Sequence, residues 1–276
     1  MADPDVPLEH GRPTVLLVAG IDPTAGAGLL LDAAVVRHLG LHPLGVTTGV
    51  AVQNTSRLAN RQDLPGSLLG EQLAVLAEEF LLGAVKTGML PTTEIMEALA
   101  DWLAERPRLP LVLDPVLRTT SGGDLIEPAA IDTLTRLLIP RARVITPNLE
   151  EAAVLSGRPI TDREQVPGAA QALLQLGADW VLVKGGHLPR AAATDYLASR
   201  EGGGWIEDAF RPHGVTRGTG CALATAIACG LARGEAVPDA VRRAKSFIVS
   251  ALDAGYRAGR GRFLGMPGAK IGRAHV

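Results

Sequence analysis

The chain has 276 residues, 47% of them apolar, a formal net charge of −2 and a pI of about 6.3. That is enough apolar material for a sizeable core. The near-balanced charge, with no basic stripe, argues against nucleic acid as a partner, and an aromatic content of 3% leaves little for a base-stacking platform.

The longest apolar stretch, Cys221–Ala232, is 12 residues against the roughly 20 that cross a bilayer, so no membrane partner is expected. No apolar run follows a basic start in the first twelve residues, which gives a cytoplasmic expectation. Cys221 and Cys229 stand about 12 Å apart along one predicted helix, too far for a disulfide. The six histidines are scattered, so no structural metal is expected.

From Thr14 onward, short apolar runs alternate with longer amphipathic ones. Thr14–Ala19, Leu44–Thr48, Ala84–Thr87, Leu111–Leu113, Val144–Thr146 and Trp180–Val183 read as buried strands. Helical spacing marks Gly26–Leu39, Gly66–Phe80, Thr93–Glu105, Pro128–Leu138, Asn148–Ser156, Arg163–Leu176, Cys221–Arg233 and Pro238–Gly255. The alternation predicts an α/β fold with a mainly parallel central sheet and helices on both faces. Asp195–Phe210, turning at Gly202-Gly203-Gly204, adds an antiparallel hairpin near the edge. With no linker or repeat, residues 14–260 read as one domain between an N-terminal tail, 1–13, and a C-terminal tail, 261–276. The last six residues, Ile271–Val276, read as a translated sequencing adapter and are set apart from the fold.

In open α/β sheets, ligands bind beyond the C-terminal ends of the strands. Here those ends carry Gly20-Ile21-Asp22, Gln53-Asn54-Thr55, Lys86-Thr87-Gly88, Asp114-Pro115, Thr146-Pro147-Asn148 and Lys184-Gly185-Gly186, which together outline one rim. Further on, Gly218-Thr219-Gly220-Cys221 runs into a helix of small residues. Glycine freedom and the unpaired amides at a helix start make such a turn a cradle for an anion, a transferring phosphoryl being the usual case. The alternative is a plain glycine loop capping a buried helix. A dinucleotide fingerprint is not met between Gly20 and Gly28, because Leu31 stands where the third glycine belongs.

Taken in order, Gly20–Gly28, Gln53-Asn54-Thr55, Val85–Leu90, Leu113–Val116, Thr146–Glu151, Val183–His187 and Gly218–Cys221 resemble the hydroxymethylpyrimidine and phosphomethylpyrimidine kinases of thiamine biosynthesis, a branch of the ribokinase superfamily. The resemblance runs from about Thr14 to Tyr256 and departs from the family pattern at Ala25, Leu30 and Arg217. It implies a ribokinase-like fold and a homo-oligomer, a dimer. It also implies an ATP- and Mg²⁺-dependent kinase acting on 4-amino-5-hydroxymethyl-2-methylpyrimidine and then on its monophosphate. The rival readings are a pyridoxal or pyridoxine kinase and a catalytically silent pyrimidine-binding protein.

Site roles follow from the same resemblance. Gly20, Asp32 and Gln53 are implied to contact the pyrimidine, with Met89 and Val116 as apolar walls; a glutamine amide can donate and accept along an aminopyrimidine edge. Asn148 and Glu151 are implied to organise Mg²⁺ and phosphate, Glu151 acting on the metal directly or through water. Lys184 places a point charge over the triphosphate, and Gly218, Thr219 and Gly220 supply the amides of the catalytic cradle. Cys221 is either a base, its thiol acidified at a helix N-terminus, or a pocket wall. On residue chemistry alone, Asp32 also reads as a solvent-facing helix residue, Gln53 as a loop amide, Glu151 as a first-turn helix carboxylate and Lys184 as a snorkelling strand-end lysine.

Overall fold

Strand β1 (Thr14–Ile21) is buried along almost its whole length, which a strand can be only in the interior of a sheet covered on both faces. A computed structural model describes residues 11–118, 123–185, 194–207 and 216–268. In it β1 lies within a nine-stranded sheet made with β2 (His42–Gln53), β3 (Leu58–Asp63), β4 (Leu82–Thr87), β5 (Leu111–Leu113), β6 (Val144–Ile145), β7 (Trp180–Val183), β8 (Thr194–Ser199) and β9 (Gly202–Glu207). The order is β3-β2-β1-β4-β5-β6-β7-β8-β9. Strands β2 to β7 of that order pair in parallel, and β3, β8 and β9 add antiparallel edges.

The period of two along each strand divides the core. Leu16, Val18, Val85 and Leu113 face α2 (Gly66–Glu79), α3 (Thr93–Ala104), α5 (Leu149–Ser156) and α6 (Val166–Gln175). Val15, Leu17, Ala84 and Val112 face α1 (Gly28–His38), α7 (Thr219–Ala232) and α8 (Val237–Asp253). Helix α7 is buried continuously from Ala222 to Leu231, and its small side chains allow close packing: a Cβ at Gly230 would come 2.7 Å from that of Ala240. This seating fixes where the N-terminus of α7 points.

The differences from the sequence reading have local causes. Helix α7 begins at Thr219 rather than Cys221, because the left-handed Gly218 already caps it. The helix expected over Pro128–Leu138 is α only to Thr133 and widens into a π turn over Leu134–Leu138, just ahead of Pro140, which lacks an amide and crowds the preceding turn. Strand β3 is mostly polar and lies at an edge, so it carries little hydrophobic signal. A short hairpin of β10 (Tyr256–Ala258) and β11 (Gly261–Phe263) leads into buried Leu264, and Gly265 donates to Ala251 O at 3.0 Å. The fold therefore continues past residue 260, and residues 261–265 are not a tail. Residues 1–10, the end of the expected edge hairpin at 208–210 and Ile271–Val276 lie outside the described residues. Among the described residues no helix is long and apolar enough to cross a membrane.

Candidate active site

Gly218 adopts φ +78 as the N-cap of α7, a backbone that side chains other than glycine's resist. A Cβ there would also collide with the carbonyl oxygen of Gly26. The first α7 turn closes from Ala222 N to Gly218 O at 2.9 Å, so the amides of Thr219, Gly220 and Cys221 precede any intrahelical bond. Across this turn stands Lys184, its Nζ 3.0 Å from where a Gly220 Cβ would lie. The structure thus brings Gly218, Thr219, Gly220 and Lys184 together.

Below the cradle runs a row of buried charges. Lys184 Nζ donates to Asp114 Oδ1 at 2.9 Å, and Thr146 Oγ1 donates to the same oxygen at 3.0 Å. Burial would raise the Asp114 pKa, but Lys184 and Lys86 outweigh it and hold the carboxyl below its ordinary range. Lys86 Nζ lies 2.6 Å from Asp32 Oδ2. Burial would lower the Lys86 pKa, yet Asp32, then Cys221 and Asp114, push it up. On the far side of Lys184, Asn148 Oδ1 accepts from Glu151 N and Glu151 Oε2 accepts from Asn148 N, each at 2.8 Å. The N-x-x-E pattern thus closes a capping box for α5. Burial lifts the Glu151 carboxyl to about 7, with Lys184 opposing and Asp114 adding to the rise. Asp32, Lys86, Asp114, Lys184 and Glu151 therefore alternate in sign beneath the site.

Gly20 and Met89 touch: a Cβ on Gly20 would meet the Met89 side chain, while Thr48 Oγ1 holds the Met89 carbonyl at 2.7 Å. Val116 follows Asp114 in a tight turn, its amide bonded to Asp114 O at 2.9 Å. Gln53 ends β2 and is half-buried, with its backbone paired to Leu58. Asp32 corrects the expectation that it touches the pyrimidine. It has no exposed surface, and its two oxygens are engaged by Lys86 and by Thr225 Oγ1, the latter at 2.8 Å. Cys221 sits at the start of α7 where Gly28 N–H donates to it, but burial dominates and raises the thiol to about 11. Desolvation thus outweighs Lys86 and the Gly28 amide, which favours the pocket-wall alternative for Cys221. Gly186 and His187 lie outside the described residues.

Lys86 and Asp114 stand on the expected rim, but the sequence assigns neither a role. Their signal is a single charge ending an apolar strand segment, Ala84-Val85-Lys86 and Leu111–Asp114, a placement that a buried strand tolerates only with a partner. At the three departures from the family pattern, Ala25 takes φ +54, Leu30 is exposed, and Arg217 is buried with NH2 3.5 Å from Asp22 Oδ2. Among the described residues no group of three or more His, Cys, Asp and Glu side chains is arranged to hold a metal ion.

A model of the phosphomethylpyrimidine kinase family matches residues 22–265. The chain belongs to this family. It is 39% identical over 249 residues to the hydroxymethylpyrimidine/phosphomethylpyrimidine kinase of Streptomyces coelicolor, covering 90% of this chain and 92% of that one. A solved phosphomethylpyrimidine kinase from Clostridium difficile superposes with TM-score 0.78 at 32% identity, covering 87% of this chain and 100% of that chain. Bacillus subtilis pyridoxal kinase, solved as an ADP complex, superposes with TM-score 0.86 at 29% identity over 93% of this chain and 98% of that one. As a member of the phosphomethylpyrimidine kinase family with a ribokinase-like α/β fold, the chain is a phosphotransferase.

Proposed function

We propose that the chain is an ATP-dependent kinase that phosphorylates the hydroxymethyl group of 4-amino-5-hydroxymethyl-2-methylpyrimidine and then the resulting monophosphate. The observation that carries this reading is Lys184 Nζ standing against Gly220, which sets a cation beside the free amides of an α7 N-terminus. Charge that grows on a transferring phosphoryl is stabilised there by groups already in place. Gly20, Met89 and Val116 form the pyrimidine end in this reading, with Gln53 on the β2–β3 hairpin reading the ring edge. Asp32 acts from beneath, through Lys86.

Magnesium fits this donor set as an ion held mainly by nucleotide phosphates and water, a mode that needs only one or two carboxylates. Asp114 and Glu151 are the carboxylates in place to hold it, and the ion would neutralise phosphate charge. The dimer and the cytoplasmic location expected from the sequence belong to this proposal, and light scattering of the purified chain tests the first.

A second reading, a pyridoxal kinase, is favoured by the higher TM-score to the Bacillus subtilis pyridoxal kinase. A coupled ADP-release assay over hydroxymethylpyrimidine, its monophosphate, pyridoxal and ribose separates the two. Turnover of both pyrimidines with ribose inert supports the first. A kcat/KM for pyridoxal above that for the pyrimidine establishes the second.

A further inference from the structure

Gly185, which follows Lys184, donates its amide to Asp195 Oδ1 at 3.0 Å, and the other carboxylate oxygen, Oδ2, accepts from Lys245 Nζ at 2.7 Å. Asp195 is the second residue of strand β8, between β7 and the edge strand β9, and Lys245 lies on α8, which packs along α7. The two side chains are only 11% and 7% exposed. Buried ion pairs recover little net stability after desolvation, so this one is a costly feature to keep unless it holds something in place.

We propose that Asp195 is a positioning residue for phosphoryl transfer, acting through Lys184. Lys184 N is bonded to Pro147 O at 2.8 Å, and the next amide is bonded to Asp195, so the backbone on both sides of the Lys184 Cα is pinned. That pinning sets the direction in which the Lys184 side chain leaves β7 towards Asp114 and Gly220. Through Lys245 the same carboxylate ties this loop to α8 and so to the helix layer whose α7 amides form the cradle. The cation and the amides are the two halves of one anion site, and Asp195 is a link that fixes one relative to the other. The inference rests on the kinase reading given above.

The test is a double-mutant cycle on turnover between Asp195→Ala and Lys184→Ala. In the wild-type background Asp195→Ala lowers kcat by about 10- to 100-fold, the scale of a catalytic group displaced by about 1 Å, while KM for the pyrimidine stays within about twofold. In the Lys184→Ala background the same change costs less than about twofold, because its target is already gone. Asp195→Asn keeps an oxygen for the Gly185 amide but gives up the ion pair to Lys245, and recovers part of the lost kcat.

Losses that multiply across the cycle overturn the proposal, as does an Asp195→Ala enzyme with normal kcat and lowered Tm, or an asparagine variant no better than alanine. Where the alanine variant does not fold, Asp195→Ser takes its place in the cycle. If the wild-type chain turns over none of the four candidate acceptors, the kinase reading fails by itself. The same cycle is then read calorimetrically with the ATP analogue AMP-PCP, where equal Kd losses in both backgrounds overturn the positioning role.

Discussion

Lys86 Nζ lies 2.6 Å from Asp32 Oδ2, and neither side chain has any exposed surface. With Thr225 bonded to the other carboxylate oxygen, the pair joins β4, α1 and α7 at the base of the cradle. A buried charge that loses its partner keeps its desolvation cost and gains nothing for it. Asp32→Asn and Lys86→Met are each expected to cost about 3–5 kcal/mol in urea unfolding, and the double variant Asp32→Leu/Lys86→Met much less than the sum. Single variants within about 1 kcal/mol of wild type would show that the pair does not hold these elements together.

Gly220→Val is expected to abolish most turnover while leaving the fold intact. The new Cβ stands 3.0 Å from Lys184 Nζ, the far end of a flexible side chain, so the lysine must give way, straining its bond to buried Asp114 at some cost in stability. Turnover pays more, because a displaced stabiliser of developing charge typically costs about 10²–10³ in kcat. A folded valine variant with near-normal kcat would remove the cradle from the mechanism.

Much of the fold was legible because the sheet is parallel and covered on both faces. Leu111–Leu113 and Trp180–Val183 are continuous apolar runs whose strand bounds match the expectation to the residue. Strand β3 was not legible, since Leu-Ala-Asn-Arg-Gln-Asp at an edge carries no period-two apolar pattern. The β10–β11 hairpin was hidden because Phe263 and Leu264 are buried by contacts with distant segments, as in the Arg217–Phe263 bridge. At the site, the cradle and Lys184 could be read from glycine spacing and a strand-end charge. The burial that removes Asp32 from the surface and raises the Cys221 pKa is a property of packing, which local sequence does not encode.

Gln53→Leu tests the pyrimidine end of the site. If the amide reads the ring edge, its loss leaves ring polar groups unpaired and weakens pyrimidine binding by about 1–3 kcal/mol, with ATP affinity unchanged. Isothermal titration of both ligands decides, and equal losses for the two would move Gln53 out of the substrate site.

Glu151 gives the stability a pH signature of definite sign. Its carboxyl is raised from an ordinary 4.5 to about 7 by burial, so between those values the folded state binds more protons than the unfolded chain. Stability therefore falls as pH rises through this window and levels off above about 7. Glu151→Gln keeps an oxygen for the Asn148 amide and removes the titration. Its stability relative to wild type should grow by about 3 kcal/mol between pH 4.5 and 8. Parallel urea-unfolding curves for the two proteins across that range would rule out the buried ionisation.

Cys221 decides between a thiolate base and a neutral wall. Its thiol is pushed up to about 11 by burial, and Asp114 and Asp32 add to the rise while Lys86 only partly offsets it. At neutral pH the resting side chain is therefore a neutral thiol, and a hydroxyl of similar size should serve almost as well. Cys221→Ser is expected to keep kcat within about threefold, far short of the roughly 10²–10⁴ that losing a general base costs. Cys221→Asp should be severely impaired, because it adds a carboxylate beside two others and against the incoming phosphate charge. Iodoacetamide should label Cys221 slowly at pH 7, with a rate that still rises beyond pH 9 as the thiolate begins to form. A serine variant crippled in kcat, together with fast labelling at pH 7, would show that the thiolate forms in the working enzyme and would return the base role to Cys221.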